Sequence, residues 1–308
     1  EKVIDQAKHK NINEEKLNSL KAKIVSIQEE NNFSHLKPSH QQINKLLEYY
    51  QSGRLHKAKK LATSITQKFP TDLLSWKVLG AVLRKTDRKS EALDANKTVI
   101  ALSPQDAEAH YNLAVTLKEL SKVEDAKTSY EEAIRLKPDF VEARYNLGII
   151  LVDLGRYKDA KEYFAQTIAL KPTFAEAHNN LGDVLTRLER FEEAELSYKQ
   201  AIGLKPGFAE AYFNLGVTLH KLGRFEEAEE RYKQTIALKF QLAESYNNMG
   251  TVLKSQGKPE EALSAYKKAL VINADYAEAY NNMGTVLSGQ GNPKEALAAF
   301  KKALEIKP

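Results

Sequence analysis

The chain is 308 residues long, 42% hydrophobic and 28% charged, with a mean hydropathy of −0.50 and a formal charge of +5. It has no cysteine, which excludes a disulfide framework, a thiolate metal site and a cysteine nucleophile. No run of about 18 apolar residues is present, which excludes a membrane-spanning helix within these residues.

The charge is uneven. Residues 39–106 carry 12 Lys/Arg against 6 Asp/Glu, whereas residues 107–308 carry 27 against 29. The basic runs Arg54, Lys57, Lys59, Lys60 and Arg84, Lys85, Arg88, Lys89 have no interleaved aromatics. They read as solvated helix faces, and no nucleic-acid binding is expected.

Residues 1–38 form a first segment, read as an N-terminal helical extension. Asn13 precedes Glu14 and Glu15, acids that favour a helix start, and Leu17, Leu20, Ile24 and Ile27 follow at gaps of three, four and three. A coiled coil needs this pattern over at least three heptads and barely two are present, so the segment is expected to cap the first repeat of residues 39–308.

From residue 39 to 308 one period explains the sequence. Ala58, Ala92, Ala126, Ala160, Ala194, Ala228, Ala262 and Ala296 lie 34 residues apart. A second series runs Gly80, Ala114, Gly148, Gly182, Gly216, Gly250, Gly284, and a third follows the prolines from Pro70 to Pro206, broken at Phe240 and Ala274. The repeats are 39–72, 73–106, 107–140, 141–174, 175–208, 209–242, 243–276 and 277–308. Within 209–242, Tyr212, Leu215, Gly216 and Leu219 mark one apolar stripe, and Phe225, Ala228, Tyr232 and Ile236 a second. Small residues at Gly216 and Ala228 let the two helices approach, and Pro206 closes the preceding unit. A lone pair of this kind cannot bury its stripe, so neighbours must stack. At the far end Phe300, Leu304 and Ile306 have no successor to cover them. The expectation is that the native protein continues past Pro308, or that this end meets a partner, self-association through the last repeat included.

Trp76, Leu79, Gly80 and then Ala160, Phe164, Pro172 follow the W-x2-L-G, A-x3-F, P pattern at a 34-residue period, and the chain resembles the tetratricopeptide-repeat superfamily over 39–308. The resemblance implies an all-α fold, a right-handed superhelix of eight helix-turn-helix repeats with the first helix of each repeat lining an inner groove. Repeat positions 2, 5, 6, 9, 12 and 13 then face a ligand. Position 6 holds Asn112, Asn146, Asn180, Asn214, Asn248 and Asn282. Asn is a mediocre helix former, so its recurrence in mid-helix requires a compensating use. A side-chain amide offers both a donor and an acceptor, as a peptide unit does, and a row of them can hold an extended chain. This row is similar to the asparagine ladder of the protein O-linked N-acetylglucosamine transferase family. The other reading has each Asn bonding a neighbouring helix and locking the stack; both stay open. Tyr111, Tyr145 and Phe213 at position 5 and His220 at position 12 complete the candidate peptide-binding set, each equally readable as packing between helices.

Position 2 holds Glu in repeats three to eight. Thr173 with Glu176, Asp139 with Glu142, and Asp275 with Glu278 have capping-box spacing, which favours a capping role over selection of a basic ligand. These acids also speak against the carboxylate clamp that some tetratricopeptide domains use, since Lys77 is the lone clamp-like lysine and Ala81 stands where its Asn partner belongs.

No phosphate loop, H-E-x-x-H or G-x-S-x-G motif is present. His110 and His178 sit at the aromatic position of their repeats and read as packing residues, and pairs such as Glu192 and Glu193 read as helix-start acids. No catalytic residue, metal ligand or cofactor is assigned. The expected function is a non-enzymatic scaffold that binds a protein or peptide, in the cytoplasm. The alternative is the substrate-recruiting arm of a larger glycosyl-, sulfo- or methyltransferase with its catalytic domain after Pro308.

Overall fold

A glycine in one helix and an aromatic ring in the next decide how closely each helix pair of residues 141–308 closes. In the computed structural model, which describes residues 37–308, the ring of Phe164 lies so near Gly148 that a Cβ there would stand 2.7 Å from Cε1. The same wedge recurs for Gly182 with Tyr198 and for Gly250 with Tyr266. No larger residue fits at these positions without moving a buried ring.

The described residues form sixteen helices and no strand, paired consecutively, as the repeat frame requires. The helical extension expected before residue 39 falls outside the described residues. The chain divides into two compact units, Glu1–Pro138 and Asp139–Pro308. The first contains α1 (His40–Gln51), α2 (Leu55–Lys68), α3 (Leu73–Lys85), α4 (Lys89–Leu102), α5 (Ala107–Glu119) and α6 (Val123–Leu136). The second contains α7 (Val141–Asp153), α8 (Tyr157–Leu170), α9 (Ala175–Arg187), α10 (Phe191–Leu204), α11 (Ala209–Lys221), α12 (Phe225–Ala237), α13 (Leu242–Ser255), α14 (Pro259–Ile272), α15 (Ala277–Gly289) and α16 (Pro293–Ile306). Each unit is a stack of helix pairs, the all-α solenoid arrangement. The 34-residue alanine series is its spine, buried to between 0 and 3% exposure.

Helix starts differ between the units. In the first, polar caps operate: Ser39 and Gln42 form a full capping box on α1, Asp72 accepts from the Ser75 N–H (2.9 Å), and Asp106 from that of Ala109 (3.1 Å). In the second, the cap positions of α7, α9, α11 and α15 are Phe140, Phe174, Phe208 and Tyr276, with no side-chain cap bond. The capping boxes expected from Asp139, Thr173 and Asp275 do not form, because each of these residues lies one position too early. Packing wins over capping: Phe140 is 9% exposed, and burying such a ring is worth roughly 1.5–3 kcal/mol against about 1 for a cap.

The turn inside each pair needs one left-handed residue. Gly155 (φ 71°) supplies it after α7, with the Gly155 N–H on Val152 O and the Arg156 N–H on Leu151 O. Asp87, Ser121 and Glu189 hold the same position without being glycine. Where Phe240 replaces the repeat-closing proline, Lys239 (φ 55°) and Gln241 (φ 40°) turn the chain instead, and α12 ends early, at Ala237.

Candidate peptide-binding face

In the second unit the successive first helices α7, α9, α11, α13 and α15 touch one another, and each second helix that is followed by another repeat packs against the first helix of its own repeat and that of the next. The first helices therefore form a continuous row. All five candidate asparagines of this unit, Asn146, Asn180, Asn214, Asn248 and Asn282, are half-buried on it.

Three of these amides are anchored to the preceding repeat. Asn180 Nδ2 donates to the Tyr145 hydroxyl (3.1 Å), Asn214 Nδ2 to Asn179 Oδ1 (3.3 Å), and Asn282 Nδ2 to Asn247 Oδ1 (3.0 Å). A position-6 amide thus reaches back to position 5 of the repeat before it. Where position 5 is Phe213 and offers no acceptor, Asn248 stands beside the buried Tyr232 hydroxyl instead.

The receiving residues Asn179 (1% exposed) and Asn247 (0%) were not singled out in the sequence. Each donates onward to an acid of the following repeat: Asn179 Nδ2 to Glu210 Oε1 and Asn247 Nδ2 to Glu278 Oε1, both at 3.1 Å. The signal was there, since position 5 alternates ring and amide through Tyr145, Asn179, Phe213 and Asn247. Glu210 and Glu278 thereby join the inter-repeat network. Glu176 bonds Lys205 Nζ (2.9 Å), and that hydrogen bond, with its own backbone, holds the carboxyl below its usual range against the opposing effect of burial.

The aromatic candidates are engaged in packing. Tyr145 lies 4.7 Å from Phe174 and 5.9 Å from Phe164 between ring centroids. Burial, then the Glu176 carboxylate, push its hydroxyl pKa up. Phe213 meets Tyr232 and Phe240 edge-on at 5.9 and 6.2 Å. His220 leans on Phe225 (5.7 Å), and burial, with Lys221 beside it, pulls its pKa down, favouring the neutral ring.

In the first unit, α5 carries Tyr111 and Asn112, both half-buried, with Tyr111 tilted against Tyr130 at 5.8 Å. The Asn112 carbonyl accepts from Asn96, which fills the place an aromatic ring holds in later repeats. Lys77 is engaged by Asp106 (2.5 Å) and Glu108 (3.5 Å). Burial would raise the Asp106 pKa, but Lys77 and the backbone N–H groups of Ala109 and Glu108 together outweigh it and hold the carboxyl below its usual range.

His110 and His178 face the carbonyls of Pro104 and Pro172 at 3.0 and 2.9 Å through Nε2, as Trp76 Nε1 donates to Pro70 O at 2.8 Å. A carbonyl only accepts, so Nε2 carries the proton, and each imidazole reproduces the tryptophan's bond. Among the described residues no cluster of His, Asp and Glu is arranged to hold a metal, and no helix is long and apolar enough to cross a membrane.

Comparison with known proteins agrees with this architecture. The family model described as "Cilia and flagella-associated protein 70 C-terminal domain", a tetratricopeptide-repeat model, matches residues 56–307. No curated protein matches. Among solved structures, YrrB, described as a TPR protein with an unusual peptide-binding site, is 26% identical with a TM-score of 0.55, over 61% of this chain and 96% of its own. A tetratricopeptide repeat protein from Parabacteroides merdae is 19% identical with a TM-score of 0.57, over 80% and 98%. PilF of Pseudomonas aeruginosa is 18% identical with a TM-score of 0.58, over 67% and 93%. These matches carry the tetratricopeptide assignment and do not single out the O-linked N-acetylglucosamine transferase branch. With the family model spanning most of the sequence and the helix-pair stack on the page, the chain belongs to the tetratricopeptide-repeat superfamily, in the family of the cilia and flagella-associated protein 70 C-terminal domain.

Proposed function

We propose that this chain is a non-catalytic scaffold that holds an extended segment of a partner polypeptide against the first-helix face of residues 139–308. Tetratricopeptide arrays serve as protein-interaction scaffolds, and the 26% identity to a structure described as having a peptide-binding site supports a peptide ligand. One observation carries the finer reading. Asn214 and Asn282 have their Nδ2 groups committed to the previous repeat, while among the described residues no donor reaches Oδ1 of either. The anchoring bond fixes the orientation of each amide, so the carbonyl oxygen is held as a rigid acceptor. A backbone N–H of an extended peptide is the complementary donor, and a backbone donor carries no side-chain identity, so the binding is tolerant of sequence. Pre-orientation also lowers the ordering cost at the moment of binding.

The test is titration calorimetry with an extended peptide selected from a random library on the intact chain. Replacing Asn180, Asn214 and Asn282 together by Ala should weaken that peptide by about 0.5–1.5 kcal/mol per lost hydrogen bond. A triple variant that melts earlier yet binds the peptide with unchanged affinity assigns the row to stacking alone and overturns the proposal.

A further inference from the structure

The first repeat departs from a charge pattern kept by the others. At repeat position 19, near the start of the second helix, every other repeat carries an acid, and in all of those but the last a basic residue stands three positions earlier. Arg88 pairs with Glu91 in this way, as do Arg156 with Asp159, Arg190 with Glu193 and Arg224 with Glu227, the last three at 2.6 Å. In the first repeat position 19 is Lys57. Arg54 turns back to Glu48 on α1 instead (2.5 Å), and α2 from Leu55 to Lys68 contains no acid at all.

The unbalanced lysines gather around two shallow slots and, with the paired Arg54, around one ring. Lys45 Nζ, the Arg54 guanidinium and Lys57 Nζ stand 5.9, 4.9 and 5.9 Å from the centroid of Tyr49. A slot of about 340 Å³ is lined by Lys45, Tyr49, Lys57, Lys60, Leu61 and Ser64. A neighbouring slot of about 380 Å³ adds His56, Lys59, Thr63 and Gln67, with Lys60 and Ser64 shared. Among the described residues no carboxylate pairs with Lys45, Lys57, Lys59 or Lys60. Like charges held this close repel one another, and elsewhere in the array the same turn carries its own acid.

We infer that this face of α1 and α2 docks an acidic segment of a partner protein. Aspartate and glutamate side chains meet Lys45, Lys57 and Lys60, and an apolar side chain of the same segment settles over Leu61. Charge complementarity selects the occupant. A nucleic-acid strand fits less well, because it needs an open aromatic face for its bases, and the Tyr49 ring is already surrounded by cations. The surface belongs to the opposite end of the sequence from the asparagine pairs of residues 139–308, so it stands independently of that binding face.

The experiment is fluorescence anisotropy on the intact chain with a labelled peptide of ~12 residues, Glu- and Asp-rich with one central Leu, at ~50 mM salt, where exposed charges are least screened. A single-stranded DNA oligonucleotide of matched charge is the comparator. Saturable peptide binding is expected. Lys57→Glu with Lys60→Glu should weaken it roughly tenfold or more, whereas Lys267→Glu with Lys301→Glu, the same charge change in the other unit, should shift it by no more than about twofold. Circular dichroism of both variants checks that the helices are retained. Absence of peptide binding, equal losses in the two variants, or DNA bound as tightly as the peptide would each overturn the inference.

Discussion

Replacing Asn247 tests directly whether buried amides hold the repeats together. Its side chain is fully buried, and Nδ2 donates to Glu278 Oε1 at 3.1 Å while Oδ1 accepts from Asn282 Nδ2 at 3.0 Å. A third contact, Nδ2 to Asn248 Oδ1 at 3.5 Å, is too long to count as a strong bond. The two good bonds are worth about 1 kcal/mol each. Glu278 is exposed and Asn282 half-exposed, so both recover water when the partner is removed, and no full desolvation penalty is added. Asn247→Ala should therefore cost about 2 kcal/mol, and Asn247→Leu, which keeps the volume, about as much. The assay is urea unfolding followed by circular dichroism, with a double-mutant cycle against Asn282→Ala. Coupling in that cycle should be about 0.5–1.5 kcal/mol. Amide exchange should speed up in α15 and α16 more than in α7 and α8, since each repeat is stabilised mainly by its neighbours. An Asn247→Ala chain within about 0.5 kcal/mol of the parent, or a cycle with no coupling, refutes the reasoning.

Two glycines should respond oppositely to alanine. Gly148→Ala sets a methyl 2.7 Å from the buried Phe164 ring and should destabilise by about 1–3 kcal/mol, whereas Gly203, in α10 with nothing within 4 Å, should gain about 0.5–1 kcal/mol in the same substitution; thermal melts of the two single variants check the sign. His220 gives a pH dependence. Burial and Lys221 lower its folded pKa below the unfolded 6.5, so as pH falls the unfolded chain takes up the proton first. Stability should be unaffected well above 6.5, decline as pH falls below it, and level off beneath the folded value. Melts of the parent and of His220→Gln between about pH 7.5 and 5 should diverge over that window, and parallel curves would exclude the assignment.

The frame of the fold was plain in the sequence because its determinants are local and repeated. A glycine, an alanine and an aromatic at fixed spacing describe one close helix contact, and the contact recurs wherever the spacing does. The start of the first helices was less legible. Asp139, Thr173 and Asp275 look like caps in isolation, but the rings at Phe140, Phe174 and Tyr276 take the cap position because burial outweighs one hydrogen bond. The asparagine row was visible, but the atoms to which Asn214 and Asn282 donate were not. Those lie 35 residues away on Asn179 and Asn247, one residue off the 34-residue period, and a comparison of like positions passes over them. Likewise the loss of the acid at Lys57 reads as one more lysine until the Arg–acid pairs of later repeats are seen in space.

The alternation of ring and amide at the fifth repeat position has a consequence for the order of the modules. To the eye the repeats look like identical beads, free to be shuffled, deleted or duplicated. Their seams differ: Asn214 has an amide behind it, Asn180 is met by a hydroxyl, and Asn248, which follows a phenylalanine, stands beside the Tyr232 hydroxyl. Transposing the module with Phe213 and its neighbour with Asn247 would carry Tyr232 along with Phe213, so Asn282 would exchange the Asn247 amide for the neighbourhood of the Tyr232 hydroxyl. The succession of modules in residues 139–308 thus decides which acceptor each amide meets, and a rearranged array would keep its seams while changing their partners.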